Sequence, residues 1–344
     1  MPFSTKKQNK KILVTGGAGY IGSHTIIELL NAGYDVVSVD NFCHSDKDTF
    51  RRIKKITGVT VKNYDIDLCD NKKTEEVFKK EKNISGIIHF AALKSVGESV
   101  KFPKKYYHNN IRSLTSVIVC AQKYKVPSIV FSSSCAVYGN VKKLPVNEKT
   151  RLGRPESPYA ATKQLGEKIL QDFANSQKNI KVISLRYFNP VGAHMSGLLG
   201  EKSLGKFDNL VPLIAEVAAG IRDKMTIFGN DYKTRDGTCV RDYVHVSDIA
   251  RAHVLALRFL EKKNTASYDV YNLGTGNGVT VSELVKAFEK ANKVSVAYSI
   301  GPRRSGDIPA VYSDSRKAKK FLGWEPKLDL YAMMRSAWKW QKEI

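Results

Sequence analysis

A regular alternation of strand-like and helix-like segments runs through the first half of the chain and limits its possible folds. It begins with the apolar, β-branched segment 12–14, a glycine-rich turn and an apolar helical segment at 23–31. Because strands that alternate with helices form parallel sheets with right-handed crossovers, we expect a Rossmann-type, doubly wound parallel α/β sheet. Further strand patterns lie at 35–39, 59–64, 86–90, 128–132 and 181–185, and helix patterns lie at 73–82, at 110–123 and after Pro158.

The glycine-rich turn has the spacing of a dinucleotide-binding loop. Gly16-Gly17-Ala18-Gly19-Tyr20-Ile21-Gly22 joins the first strand to the first helix, and Asp40 ends the second strand. Glycines let the backbone approach a pyrophosphate, whose charge is favoured by the helix N-terminus. A carboxylate at about this distance suits a ribose hydroxyl and repels a 2'-phosphate, which favours NAD over NADP. A purely structural glycine turn would leave Asp40 unexplained.

Chemistry-bearing side chains follow at the ends of later strands and on the helix after Pro158. Tyr159 and Lys163 are one helical turn apart and share a face, although this spacing is also common on solvated helices. Ser134, which follows a strand, would join them where the nicotinamide is expected. A unit charge about 4 Å away contributes about 4 kcal/mol at an effective dielectric near 20. Lys163 and the positive nicotinamide ring should therefore bring the pKa of Tyr159 near neutrality, which suits a general base.

The sequence changes character after position 188, where polar loops and short apolar helices replace the alternation. We expect an NAD-binding Rossmann domain at 1–188, to which the chain returns around 242–275. A smaller α/β domain for substrate binding is expected at 189–344, closed by a helix at 324–344.

Composition narrows the possible partners. The net charge is +23, but the lysine pairs are dispersed along the chain and form no block with interleaved aromatics, so we expect solvated faces and no nucleic-acid partner.

The five cysteines show no CxxC pair, which argues against a disulfide framework or a zinc site; no metal is expected. Segment 1–11 is polar, without a signal peptide's apolar region, and no apolar run reaches membrane-spanning length, so we expect a cytoplasmic protein without a membrane partner.

Longer motifs span nearly the whole chain in order: VTGGAGYIGSHT, VDNF, IIHFAALKSVGESV, FSSSCAVYG, SPYAATK, LRYFNPVGAH, DNLVP, IFGNDYKTRDGTCVRDYVHV, YNLGTG and PRRSGDIPA. In these runs the sequence resembles the UDP-glucose 4-epimerase (UDP-galactose 4-epimerase) family of the extended short-chain dehydrogenase/reductase superfamily. The resemblance implies a homodimeric isomerase of galactose metabolism that interconverts UDP-galactose and UDP-glucose. In such an enzyme C4 is oxidised to a 4-keto sugar with bound NAD, and the keto sugar rotates and is reduced again.

The resemblance also assigns site residues. Tyr159 would be the base, Lys163 its partner and ribose anchor, and Ser134 the partner of the sugar 4-hydroxyl. Arg241 and Arg304 would bind the diphosphate, which a guanidinium grips in a fork, although surface arginines are common. The implied NAD contacts are Gly16, Gly19, Tyr20, Ile21, Gly22, Asp40, Asn41, Asp65, Ile66, Phe90, Ala91, Lys94, Asn109, Tyr159, Lys163 and Tyr187. The implied UDP-sugar contacts are Lys94, Ser134, Tyr159, Asn189, Asn209, Leu210, Thr226, Phe228, Arg241, Arg304, Asp307 and Val311.

Two departures from the family pattern bear on the reaction. Cys135-Ala136 stands where related dehydratases carry an acidic pair, so elimination of water is not expected; the family commonly has Thr at the position of Ala136. Val311 stands where the family can hold a bulky Tyr, so either the pocket admits N-acetylated UDP-sugars or Val311 simply packs.

Other functions stay open at this point. One is a UDP-uronate epimerase or a dehydratase, against which the RYFNPVGAH and RDYVHV runs argue. Another is a non-catalytic NAD sensor or nucleic-acid-binding protein on the same fold, which would not need a Ser, a Tyr and a Lys together. For a homodimer, we expect a seam on the helix that carries Ile111, Leu114, Val117 and Ile118 and on the helix after Tyr159.

Overall fold

A computed structural model describes residues 10–202, 209–262, 265–304 and 307–344. Most of the polar N-terminal segment and parts of the DNLVP and PRRSGDIPA runs therefore lie outside the described residues. The strands are β1 (Lys11–Thr15), β2 (Asp35–Val39), β3 (Lys62–Tyr64), β4 (Ile84–His89), β5 (Ser128–Ser134), β6 (Lys181–Tyr187), β7 (Asn189–Val191), β8 (Met225–Phe228), β9 (Val240–His245), β10 (Tyr268–Leu273), β11 (Gly278–Thr280), β12 (Tyr298–Gly301) and β13 (Ala310–Val311). The helices are α1 (Tyr20–Asn31), α2 (Asp48–Thr57), α3 (Asn71–Lys80), α4 (Val96–Lys101), α5 (Pro103–Lys123), α6 (Pro158–Ser176), α7 (Leu210–Ala218), α8 (Val246–Leu260), α9 (Val281–Asn292), α10 (Arg316–Leu322) and α11 (Leu330–Gln341), with a 3-10 helix at Cys135–Tyr138.

Seven strands form the large sheet in the order β10-β6-β5-β4-β1-β2-β3, and every neighbouring pair is parallel. The chain starts in the middle at β1, builds outward to β3, and then crosses back to β4 and builds in the other direction. The carboxyl ends of β1 and β4 therefore border the point where the strand order reverses, which is where such sheets bind ligands. The predicted fold class is confirmed.

Both faces of this sheet are covered, which explains the continuous apolar character of its central strands. On one face, buried side chains of α1 and α8, such as Ile26 and Ile249, pack with alternate residues of the strands. On the other face, Phe78 of α3, Leu114 of α5 and Leu170 of α6 do the same. Since both faces are filled with side chains, the strand ends are left as the place for a site.

A second group of elements follows the large sheet. β7 and β13 both pair parallel with β9, β11 pairs antiparallel with β9, and β8 pairs with β12. A separate buried cluster, which includes Ile214, Phe288 and Met333, joins α7, α9 and α11 to these strands. β10 pairs with β6 in the large sheet. The boundary at 188/189 stays a prediction.

Several element bounds differ from the expected ones. α5 begins at Pro103 instead of 110, because proline is tolerated in the first turn of a helix, where its missing N–H is not needed. The closing helix begins only at Leu330, and Trp324 lies outside it, buried, with its indole N–H donating to the Asp248 carbonyl over 2.8 Å. Within the described ranges, no helix is both long and apolar enough to cross a membrane.

The expected dimer seam is wrong in three of its four named residues. Leu114, Val117 and Ile118 are buried in the core between α5 and the sheet. An amphipathic helix carries apolar residues on its core-facing side, and the sequence pattern alone did not distinguish that side from an intermolecular one.

Candidate active site

The glycine-rich turn packs so closely that side chains are excluded at two positions. Gly16 has φ +71°, and a Cβ built on it would lie 2.8 Å from the Ala91 backbone nitrogen at the end of β4. A Cβ on Gly22 in α1 would lie 2.2 Å from the Gly16 carbonyl oxygen. The turn thus brings the ends of β1 and β4 and the N-terminus of α1 together, which is the cradle that a dinucleotide pyrophosphate requires.

Asp40 extends this cradle from the end of β2. Its Oδ2 accepts a hydrogen bond from the Ala18 N–H over 2.9 Å, and its Oδ1 accepts from the Phe42 N–H and the Ser45 hydroxyl over 2.9 and 2.8 Å. The Asp40 carboxylate therefore lies beside the glycine turn, as the spacing predicted. A carboxylate at this position suits a ribose hydroxyl of NAD. The Tyr20 hydroxyl does not face this carboxylate; it donates to the Gly192 carbonyl over 2.6 Å and joins α1 to the segment after β7.

Most of the other residues expected near NAD follow the same strand ends, and Asn109 lies on α5. Asn41 and Asn109 line an open cleft of about 980 Å³. Phe90 and Ala91 follow β4, where their N–H groups donate to the Thr15 carbonyl and hydroxyl. Asp65 lies farther out and pairs with Lys47 over 3.1 Å, and the half-buried side chain of Ile66 packs against the core.

Tyr159, Lys163 and Ser134 meet where β5 and α6 come together. The Ser157 hydroxyl caps α6 by accepting from the Ala160 N–H over 3.2 Å, and this fixes the start of the helix. The Ser134 side chain lies near enough to the Tyr159 phenol to lower its pKa, and the Lys163 Nζ lies 5.9 Å from the centroid of the Tyr159 ring. Lys163 is 4% exposed and donates to the Ser132 carbonyl over 2.7 Å. The structure therefore brings the three predicted catalytic residues together.

Burial shifts the pKa values of both Tyr159 and Lys163. Burial raises the pKa of Tyr159 to about 12, and the nearby Ser134 side chain offsets only part of that effect. Burial lowers the pKa of Lys163 to about 8, against the opposing influence of Glu167. The protein groups by themselves therefore raise the pKa of Tyr159, because a buried phenolate loses its hydration. The expected lowering, which includes the charge of the nicotinamide ring, stays a prediction.

Tyr187 lies next to the three predicted catalytic residues, opposite Ser134 on the neighbouring strand. Its buried hydroxyl donates to the Ser132 hydroxyl, and burial raises its pKa well above the ordinary value. It lies at the end of β6, beside the strand that carries Ser134. Tyr187 therefore borders the predicted catalytic group with a neutral phenol.

A second group of predicted residues gathers on β7, β9 and β13. Asn189 of β7 lies opposite Tyr243, two residues after Arg241 on β9, and Val311 of β13 lies opposite Arg241. The Arg241 guanidinium donates to the Ile308 carbonyl over 2.6 Å and lies 3.7 Å from the Asp307 carboxylate. Residues far apart in sequence are therefore side by side, and the guanidinium is held by its neighbours.

The remaining predicted substrate residues form two smaller groups. The Arg304 guanidinium lies 4.5 Å from the ring centroid of Phe228, which shares β8 with Thr226. Asn209 immediately precedes Leu210, the first residue of α7, and its amide donates to Glu201 Oε1 over 2.6 Å. Lys94 Nζ donates to that same oxygen over 2.7 Å.

The short 3-10 helix after Ser134 links the two parts of the site. Val137 and Tyr138 pack with Phe188 and Val311 in one buried cluster. Val311 is 6% exposed, so the interpretation of Val311 as a packing residue has direct support. Its contact with the 3-10 helix also holds β13 next to the strand that carries Ser134.

Sequence reasoning missed several polar residues around the site. Glu201 joins Lys94 to Asn209, and no pattern in the sequence pointed to it. Glu167 forms a buried ion pair with Arg186. Its spacing of four residues from Lys163 places both on one helical face and was a signal that could have found it.

Comparison with known proteins identifies the family. Residues 13–337 match the family described as GDP-mannose 4,6 dehydratase. The chain is 48% identical over 331 residues to UDP-glucose 4-epimerase of Haemophilus influenzae, covering 96% of this chain and 97% of that one. The chain belongs to the UDP-glucose 4-epimerase family. The resemblance inferred from the motifs is confirmed.

Solved structures of UDP-glucose 4-epimerases share the fold over almost the whole chain. The enzyme from Bifidobacterium longum, in complex with NAD+ and UDP, superposes with a TM-score of 0.93 at 47% identity, covering 97% of this chain and 98% of that one. The enzyme from Stenotrophomonas maltophila, with bound NAD and formylated UDP-arabinopyranose, gives a TM-score of 0.94 at 45% identity, covering 97% and 98%. The glycine cradle and Asp40 thus belong to a fold that binds NAD in these relatives of the family.

Proposed function

We propose that the protein interconverts UDP-galactose and UDP-glucose reversibly, by oxidation and re-reduction at C4 of the sugar. The observation that carries this proposal is the meeting of Ser134, Tyr159 and Lys163 beside the glycine cradle, in a chain of the UDP-glucose 4-epimerase family. When bound, NAD takes a hydride from C4 and later returns it, and its positive nicotinamide ring adds charge beside the phenol. The glycine turn and Asp40 would hold this cofactor.

The chain's own residues move and hold the proton. Tyr159 would take the proton of the C4 hydroxyl, and the nearby Ser134 hydroxyl would hold the C4 hydroxyl by a hydrogen bond. Lys163 contributes a buried positive charge, fixed in place by the Ser132 carbonyl. Because burial keeps Tyr159 protonated in the protein alone, added positive charge is needed before the phenol can act as the base.

Inversion is the outcome that this site favours over elimination of water. Position 135 offers a thiol whose pKa burial raises to about 12, and position 136 offers only a methyl group. The site therefore lacks, at these two positions, the acid that a dehydratase would use. A keto sugar that rotates about its link to the diphosphate would be reduced from the opposite face, which inverts C4.

The second group of residues would bind the nucleotide part of the substrate. Arg241 and Arg304 offer planar guanidinium groups suited to diphosphate oxygens. Phe228 is 37% exposed although Arg304 lies over its ring, and the part of the ring that stays exposed suits stacking with a base. Asn189 and Asn209 would add amide hydrogen bonds from β7 and from the start of α7.

An assay of C4 inversion tests the proposed function directly. Purified protein is incubated with UDP-galactose, first without added NAD and then with it, and UDP-glucose is measured. We expect product in the wild type and a loss of at least about 100-fold in kcat for Tyr159→Phe, the size typical of a lost general base. If no UDP-glucose forms even with NAD, or if Tyr159→Phe equals the wild type, the proposed function is wrong.

Val311 supports a second, wider substrate range. It lies opposite Arg241 and packs against the 3-10 helix that follows Ser134, so its small side chain would leave room beside the sugar. We therefore propose that the enzyme also interconverts UDP-GlcNAc and UDP-GalNAc. Val311→Tyr should lower the UDP-GlcNAc activity more than the UDP-galactose activity, because the added ring takes up space beside the sugar, although overpacking at this buried position also costs stability. A wild type that forms no UDP-GalNAc after prolonged incubation excludes this range.

A homodimer is also proposed, with a seam that differs from the expected one. Six apolar side chains on α4, α5 and α6 and on the residue between α4 and α5 are between 42% and 62% exposed: Val96, Val100, Phe102, Tyr107, Val119 and Leu165. Exposed apolar surface of this kind on neighbouring helices is typical of protein interfaces. Sedimentation should give a dimer at micromolar concentration, and Val119→Glu should give a monomer. A monomeric wild type would rule the seam out.

The cysteines support a reducing location such as the cytoplasm. All five are free, and Cys69, Cys120 and Cys239 are buried as thiols. Free, buried thiols are typical of compartments in which disulfides do not persist. Fractionation of cells that express the tagged protein tests this location, and recovery outside the cytosolic fraction would contradict it.

A further inference from the structure

Helix α6 carries a buried carboxylate one turn after Lys163. Glu167 and Arg186 are each 5% exposed, and they form a forked ion pair with distances of 2.5 and 2.8 Å. The Ser133 hydroxyl donates to the same carboxylate over 2.5 Å. One side chain of α6 is thus bonded to both β5 and β6.

The bonded chain continues under the site. Arg186 Nη1 donates to the Tyr138 hydroxyl over 3.1 Å, and that hydroxyl donates to Asn272 Oδ1 over 2.6 Å. Tyr138 belongs to the 3-10 helix after Ser134, and Asn272 belongs to β10. The network therefore connects five elements, namely α6, β5, β6, the 3-10 helix and β10, and ends at the strand next to β6.

Three members of the network are close in sequence to site residues. Ser133 precedes Ser134, Glu167 follows Lys163 by four residues, and Arg186 precedes Tyr187. Successive side chains of a strand point to opposite faces, so Ser133 can anchor β5 from behind while Ser134 faces the site. A shift in the network would therefore move the residues that the reaction uses.

Stability alone does not account for such an ion pair. Burying two charges removes their hydration, and replacing a buried pair by apolar side chains is often neutral or stabilising. A forked arginine–carboxylate pair does, however, impose a fixed geometry on both partners. Orientation is thus the contribution that this pair makes and that an apolar pair could not.

We propose, on the basis of the proposed epimerase function, that Glu167 is a positioning residue. Through Ser133 and Arg186 it holds α6 against β5, so that Tyr159 and Lys163 on the helix stay in register with Ser134 on the strand. It also keeps an anion one helical turn from the Lys163 ammonium.

The charges around these two side chains make the second role measurable. Lys163 faces Tyr159 and Glu167 on its own helix and His89 on β4, and burial keeps His89 neutral at pH 7 with a pKa of about 3. Glu167 faces Arg186 on β6, and the phenols of Tyr138 and Tyr268 lie near this pair. Since Glu167 opposes the burial that lowers the pKa of Lys163, its loss should make Lys163 lose its proton at lower pH.

Glu167→Gln tests the proposal because it keeps the shape of the side chain and removes its charge. We measure kcat and KM for UDP-galactose, the pH profile of kcat, NAD content and Tm. We expect kcat to fall at least about tenfold with KM changed less than about threefold, the split typical of a lost transition-state geometry. The alkaline limb of the kcat profile should move to lower pH. Ser133→Ala, which removes one hydrogen bond, should give a smaller loss of kcat in the same direction.

Two further variants separate positioning from folding. Asp248→Asn breaks a different ion pair, between the buried Asp248 and the partly buried Arg251 on α8, and should lower Tm without changing kcat or its pH profile. The double variant Glu167→Gln/Arg186→Met removes the unpaired guanidinium and should recover Tm while kcat stays low. Recovery of kcat together with Tm would reduce the network to a structural role and overturn the proposal.

Failure of the proposed function gives a different result. In that case the wild type itself forms no UDP-glucose. If the wild type is active and Glu167→Gln keeps its kcat and pH profile, the epimerase function stands and only the positioning role is wrong.

Discussion

Substitution of Gly22 by alanine tests how tightly the glycine cradle is packed. A matched substitution elsewhere corrects for the helix propensity that alanine adds. In Gly22→Ala the new Cβ would lie 2.2 Å from the Gly16 oxygen, 3.0 Å from the Gly16 carbonyl carbon and 3.1 Å from Gly17 Cα. Non-bonded carbon atoms normally stay about 3.5 Å or more from their neighbours, so the turn must move by roughly 1 Å. Gly16 cannot simply move away, because it already lies against Ala91.

Gly97→Ala is the matched control. Gly97 is also helical, in α4, but it is exposed and a Cβ there would meet nothing within 4 Å. Alanine is favoured over glycine in a helix by about 1 kcal/mol, and both variants receive this gain. Overpacking lowers the free energy of unfolding by about 1 to 3 kcal/mol, and only Gly22→Ala is overpacked. The free energies of unfolding of the two variants should therefore differ by about 1 to 3 kcal/mol.

Three measurements test this reasoning: urea unfolding, the NAD retained by the purified protein, and conversion of UDP-galactose with and without added NAD. We expect Gly97→Ala to match or exceed the wild type in stability. Gly22→Ala should be less stable than Gly97→Ala, should retain less NAD, and should regain activity only when NAD is added in excess. Wild-type stability and NAD content in Gly22→Ala would refute the contact argument.

Three other predictions concern the substrate group, the catalytic group and a buried imidazole. Arg241→Lys should raise KM for UDP-galactose about tenfold with kcat nearly unchanged in steady-state kinetics, because an ammonium cannot form the guanidinium fork. Ser134→Ala should lower kcat about 10- to 100-fold with little change in KM, since it removes a hydrogen bond made to the reacting hydroxyl. Burial lowers the pKa of His253 to about 4, so the unfolded state binds more protons below pH 6.5 and stability falls as pH drops from there toward 4. Urea unfolding at pH 7 and pH 5 should show that His253→Leu loses about 2 kcal/mol less than the wild type over this interval.

Local sequence patterns were sufficient for the cradle and for the parallel, doubly wound class of the sheet. A strand, a glycine turn and a helix in succession leave few conformations, and Asp40 follows at the distance that the β-α-β unit imposes. The residues at strand ends could be anticipated for the same reason, because parallel strands all end at one edge of the sheet. Tyr159 and Lys163 are neighbours through helix geometry alone, so their pairing needed no tertiary information.

Predictions that depended on which side of an element faces the core were less successful. Leu114, Val117 and Ile118 were expected at a dimer seam and lie in the core. An apolar stripe on a helix indicates that one face is buried, but it does not indicate whether the core or a second subunit covers that face. Only the packing of α5 on the sheet decides between the core and a partner.

In the catalytic group, too, some features followed from the sequence and others depended on the tertiary structure. The sequence by itself determined that a phenol and an ammonium share one helical face and that a serine ends the neighbouring strand. Only the tertiary structure decided that burial raises the pKa of Tyr159 and lowers that of Lys163, and that Glu167 reaches across to Arg186 and Ser133. The physical reason is that residue identity and spacing fix local geometry, whereas loss of hydration and long-range pairing depend on which distant segments close around each side chain.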